Sequence, residues 1–156
     1  MRPITLLHTI VLSVSIAFAS AGAEFSTCDL LHPEALLGKR ITITGRVLFT
    51  PHGAFLTSDS CADHSQDIVI LYPKIEGTPE VPFALETQVI DLLKPFFKPA
   101  GGTATACGTL TGQVFYKKHF RSKAEGAGPQ GNGFGPRGAF RLAFVLQSVK
   151  GIHVCE

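Results

Sequence analysis

The leader restricts this chain more than any other feature. Arg2 is followed by an apolar run from Ile4 through Ala19, broken only by Thr5, His8, Thr9, Ser13 and Ser15, and then by the small-residue stretch at 19–23. A charged tip, an apolar middle and a small-residue exit are the three parts of a secretory signal peptide. Ala21-Gly22-Ala23 fits the cleavage pattern, with Ala17-Phe18-Ala19 as an earlier alternative, and neither is followed directly by a cysteine that would carry a lipid. The run is shorter than the roughly 20 apolar residues a membrane-spanning helix needs. Residues 1–23 are therefore expected to be removed, leaving 24–156 as a single domain with no stable membrane span. The expected location is the periplasm or the outside of the cell.

Export gives the cysteines their meaning. Cys28, Cys61, Cys107 and Cys155 all follow the leader, and an even number of cysteines in an exported chain points to disulfides. Four cysteines allow three pairings. Cys28 with Cys61 and Cys107 with Cys155 is the preferred set, because each bond would tie a chain end to a strand. Zinc sites usually place cysteines in pairs two to four residues apart, a spacing that no two cysteines here share. No cofactor is expected.

After the leader the apolar periodicity changes several times. Leu30, Leu31, Ala35, Leu36 and Leu37 have helical spacing over 25–39, ended by Gly38. Ile41, Ile43, Gly45, Val47 and Phe49 then alternate with polar neighbours, which predicts a half-buried strand. A second short strand is expected over 54–57, and Ile68 to Leu71 reads as a strand buried on both faces. Phe83, Leu85, Val89, Leu92, Leu93 and Phe96 suggest a helix that Pro95 would stop. Over 103–115 small residues (Ala104, Ala106, Gly108, Gly112) occupy one face, as a tightly curved sheet requires. Lys117 to Arg137 is rich in glycine and reads as a long flexible loop. The last strand places Phe140, Leu142, Phe144 and Leu146 on one face. The expected fold is mainly β: a five-stranded, OB-fold-like Greek-key barrel with one helix between strands three and four.

Two stretches also carry a resemblance. Leu36-Leu-Gly-Lys-Arg-Ile-Thr-Ile-Thr-Gly-Arg46 resembles the opening strand of exported bacterial OB-fold-like small proteins, most of them functionally uncharacterised. The run from Gly131 to Val149, with its Gly-Phe-Gly element ahead of a strand ending in Ser-Val, resembles their closing loop and strand. The resemblance implies the barrel and export, and adds little about a ligand.

The sequence offers one candidate binding patch. Tyr116, Lys117, Lys118, Phe120, Arg121 and Lys123 place four cations and two aromatics at the start of the loop joining strands four and five, with His119 among them. In OB-folds that loop borders the oligonucleotide or oligosaccharide face, where cations follow phosphates and rings stack. The partner expected from this patch is an oligosaccharide or a polyanion. The whole-chain formal charge of only +2 excludes a strong global attraction to nucleic acid or anionic membrane. Asp59, Cys61, Asp63 and His64 crowd metal-ligating residue types together, but their spacing fits no metal motif, and a disulfide at Cys61 would remove its thiolate. No nucleophile elbow or phosphate-binding glycine loop is present. The function expected is a non-catalytic, exported binding module. The alternatives are an envelope component that holds another protein and a small metal-dependent enzyme.

Overall fold

The computed structural model describes residues 24–57, 68–98, 101–121 and 131–155; the signal-peptide reading of 1–23 lies outside them. The described strands are β1 (Glu24–Ser26), β2 (Arg40–Thr50), β3 (Gly53–Thr57), β4 (Ile68–Leu71), β5 (Ala104–Tyr116) and β6 (Leu142–Val154). The last five close into a barrel. β2 pairs antiparallel with β3, and β3 with β4. β4 runs parallel to β6, β6 returns antiparallel to β5, and β5 closes the ring against β2. The helix α1 (Gln88–Leu93) lies between the third and fourth barrel strands, as expected. β1 is a short parallel addition to the free edge of β2.

The alternation in the sequence sets which face of each strand turns inward. Ile41, Ile43, Val47 and Phe49 of β2 are buried, and so are Ala106, Leu110 and Val114 of β5. β5 keeps small residues on its inward face, which lets two long strands cross closely as they coil around the barrel. Ile68, Val69 and Ile70 of β4 are all buried, as a continuous apolar run predicts. α1 and the turn after it cover one end of the core with Val89, Leu93 and Phe96. Phe96 stacks on Phe49 at 5.6 Å between ring centroids.

Several local expectations are corrected. The helix expected over 25–39 is instead β1 followed by two 3-10 turns, Thr27–Leu31 and Pro33–Ala35, since Pro33 cannot continue a hydrogen-bonded helix. The helix expected from Phe83 begins only at Gln88. The amide of Glu86 donates to Gln147 O of β6 at 2.9 Å, so the sheet takes a donor that a longer helix would have used. Phe140 precedes β6 and forms an isolated bridge with Phe134 on the outside of the barrel, rather than lying on the inward face of the last strand.

Cys107 and Cys155 are joined, as preferred, with their Cα atoms 5.1 Å apart. Cys28 is disulfide-bonded as well; its expected partner, Cys61, lies outside the described residues. No helix among the described residues is long and apolar enough to cross a membrane.

Candidate functional site

The loop expected to be flexible is built, over 131–140, as a compact cover on the outside of the barrel. Phe134 and Phe140 exchange two backbone hydrogen bonds, 2.7 and 3.2 Å long. Gly131 N donates to Arg137 O at 2.9 Å and Gly133 N to Gly138 O at 3.0 Å. Glycines at 133 and 138 make this turn possible. A Cβ on Gly133 would collide with Phe140 O, and one on Gly138 with Gly131 O. The glycines serve close packing here, where the sequence alone suggested flexibility.

The cover packs on a second apolar cluster. Phe134 is 8% exposed and Phe55 only 7%, and both pack with Val69 and Ala143, flanked by Leu71, Phe115 and Phe140. Phe55 and Phe140 lie 5.0 Å apart, a contact worth about 1 kcal/mol beyond the area it buries. The rings on this face are therefore occupied by the protein's own chain and are not an open platform for stacking.

The expected patch borders this cover. Tyr116 ends β5 half-buried, with the guanidinium carbon of Arg141 4.5 Å from its ring centre. Lys117 is exposed, and its Nζ lies 5.5 Å from the ring centre of Phe134. Lys118 and Arg121 are exposed and Phe120 is half-buried. The start of the loop is tied to the cover by Asn132, whose Oδ1 accepts from Arg121 N at 2.9 Å and whose Nδ2 donates to His119 O at 2.8 Å. Lys123 lies outside the described residues. So do Asp59, Cys61, Asp63 and His64, the metal candidates from the sequence.

Two cations that the sequence reading passed over complete the surroundings. The tip of the cover, Gly135 and Pro136, meets the 52–53 turn and the 72–78 loop around a hollow of about 360 Å³, with His52, Tyr72, Glu76 and Thr78 also in its wall. Lys74 (φ 66°) and Arg137 (φ 56°) follow the two sides of that hollow in sequence. They are the two non-glycine residues with positive φ among those described. A left-handed backbone costs an ordinary L-residue about 1–2 kcal/mol. Such strain persists only where the surroundings impose it, and it gathers at functional sites.

Tyr72 has a separate energetic role. Its hydroxyl is buried without a hydrogen-bond partner, and burial pushes its pKa up to about 12 from 10.0. The folded value lies above the unfolded one, so this contribution to stability is complete below the unfolded value and is lost as the pH rises toward about 12. Tyr72→Phe is expected to raise stability by about 1 kcal/mol at neutral pH, because it deletes an unpaired buried donor. It should also reduce the alkaline loss. Urea unfolding at neutral and alkaline pH checks both effects.

His32, His52 and His119 are exposed loop residues, and His153 lies near the end of β6. Among the described residues no three His, Cys, Asp or Glu side chains group as a metal site. The chain matches no protein-family model, no curated protein and no solved structure.

Proposed function

We propose that the barrel is an OB-fold and that the protein is an exported, non-catalytic module binding an acidic oligosaccharide across the covered face. The fold reading rests on the strand ring, its parallel pair β4–β6 and the position of α1. Export is supported by the leader and by the Cys107–Cys155 bond, since disulfides persist in oxidising compartments.

The observation that carries the ligand is the hollow itself, large enough for a small ligand, with Lys74 and Arg137, two cations in a strained backbone, next in sequence to residues of its wall. His52, Glu76 and Thr78 in the wall suit the hydroxyls of a sugar ring, and the cations at 74, 117, 118, 121 and 137 suit acidic groups along the chain. Stacked bases fit less well, because Phe55 and Phe134 are already covered.

The test is titration with a uronic-acid oligosaccharide, a neutral oligosaccharide and a single-stranded oligonucleotide at two salt concentrations. The acidic sugar is expected to bind best and to weaken with salt. Lys117→Ala, Lys118→Ala and Arg121→Ala should each cost about tenfold in affinity, and combined about a thousandfold, since each charge-assisted contact is worth roughly 1.5 kcal/mol. Arg137→Gly should weaken binding while stabilising the fold by about 1 kcal/mol, through release of its left-handed backbone. Equal binding of the neutral sugar, or a stronger hold on the oligonucleotide, would overturn the ligand class. Capture of an envelope protein with no sugar binding would turn the reading toward an interaction component.

A further inference from the structure

A second cleft, away from the covered face, is lined by side chains in strict register. Its walls include Ser26, Thr44, Thr109 and Lys150 in one row, and Thr57, Arg46, Cys107 and His153 in the next. Backbone pairing joins the first row across β1, β2, β5 and β6, through Ser26 with Thr44, Thr44 with Thr109 and Thr109 with Lys150. It joins the second across β3, β2, β5 and β6, through Thr57 with Arg46, Arg46 with Cys107 and Cys107 with His153. The cleft holds about 460 Å³.

The chain reaches this arrangement through an irregularity. Lys150 and His153 are three residues apart, so a regular strand would turn them to opposite faces. Their partners on β5, Thr109 and Cys107, are two apart and share a face. The register shift between Cys107 and Thr109 absorbs the difference. Gly151 supplies the extra residue in the left-handed conformation (φ 59°) that such a bulge uses. The bulge therefore places a lysine and a histidine side by side, next to Arg46 and above a floor of hydroxyls.

From this geometry we infer that the cleft binds a tetrahedral oxyanion, the phosphate or sulfate group of a small ligand. Lys150 supplies charge, His153 supplies a second N–H when its ring carries both protons, Arg46 adds a planar donor set suited to such oxygens, and the threonine hydroxyls supply neutral donors. Arg46 already has an interaction of its own, so Lys150 and His153 are the groups on which the site depends. His153 donates from Nδ1 to Gly151 O at 2.7 Å, which fixes the ring and leaves Nε2 for the ligand. Thr44 and Thr109 share a hydrogen bond at 3.2 Å, which holds the two hydroxyls side by side. Among the described residues Asp29 is the acid bonded to the wall of the cleft, its carboxylate accepting from Ser26 N at 2.7 Å and from Ser26 Oγ at 2.9 Å.

The experiment follows backbone amide shifts of the oxidised protein during titration with inorganic phosphate and, separately, inorganic sulfate. Saturable shifts are expected at 44–46, 107–109 and 150–153, with a dissociation constant in the millimolar range. A sugar phosphate and a sugar sulfate then distinguish the two sources of the oxyanion. Lys150→Ala and His153→Gln should each weaken binding about tenfold and leave the melting temperature unchanged, because both side chains are exposed. Deleting Gly151 should preserve binding, since it leaves Lys150 and His153 two residues apart and on one face of a regular strand opposite Thr109 and Cys107. The triple variant at Lys117, Lys118 and Arg121 should bind phosphate normally, which separates this site from the proposed sugar face. If phosphate gives no saturable shift at these amides, the inference fails. It fails equally if the Lys150→Ala/His153→Gln pair binds as the native protein does.

Discussion

Replacing Cys107 and Cys155 together by serine is expected to cost the folded protein about 4 kcal/mol. The bond spans 48 residues of sequence, and the loop-closure entropy it removes from the unfolded chain is of that order. For a domain of this length the melting temperature should fall by roughly 10 °C. The position of the bond gives the loss a local signature as well. β6 pairs with β4 only over Ala143 to Val145, and beyond Val149 its ladder partner is β5 alone. Without the bond, amide exchange should accelerate first over 150–154 and only later in the barrel proper. Chemical denaturation and hydrogen exchange, each with and without a dithiol reductant, check both statements. A loss below about 1 kcal/mol with fast exchange confined to 150–154 would mean that the tail frays on its own and the barrel does not depend on the bond. The same comparison tests the second cleft, since Cys107 and His153 form one of its rows.

Much of the barrel could be read from the sequence because strand periodicity is local. Ile41 to Phe49 alternate, Ile68 to Ile70 run continuously apolar, and Ala104 to Gly112 keep small residues on one face. Each pattern states which side of a strand faces the core before any partner is known. The pairing of Cys107 with Cys155 was one of three that the sequence left open, preferred because it ties a chain end to a strand. What escaped depends on contacts distant in sequence. The helix near 88 is shortened because β6 takes the amide of Glu86. Phe134 and Phe140 turn to the outside because Phe55 and Val69 form an apolar patch there, and a strand pattern extended back to Phe140 hides this. Lys117, Lys118 and Arg121 were visible as a charge cluster. Lys74 and Arg137 were not, because positive φ in a non-glycine residue has no sequence signature. Lys150 and His153 are three apart, a spacing that belongs to opposite faces of a regular strand, and only the bulge at Gly151 brings them together.

Gly112→Ala tests whether the small-residue face of β5 is a requirement of the barrel or only a tolerance. A Cβ at Gly112 would collide with Val145 O and approach the ring of Phe144 to 2.7 and 2.8 Å. Neither neighbour can move cheaply. Val145 pairs with both β4 and β5, and Phe144 is fully buried at the centre of the core. Overpacking against backbone and a filled core typically costs 1–3 kcal/mol and sometimes more, and the backbone contact here sets the expectation at about 3 kcal/mol or above. Gly102→Ala is the matched control. Its new methyl would meet only the flexible side chain of Lys98, at 3.4 Å, so its effect should stay within about 0.5 kcal/mol. Urea denaturation of the two variants beside the native protein gives the comparison. A Gly112→Ala protein as stable as the control would mean that β5 and β6 can slide apart at the register shift between Thr111 and Gly112 without disturbing the ring. The glycine would then reflect chain flexibility, and the close crossing of the two long strands would lose its role in closing the barrel.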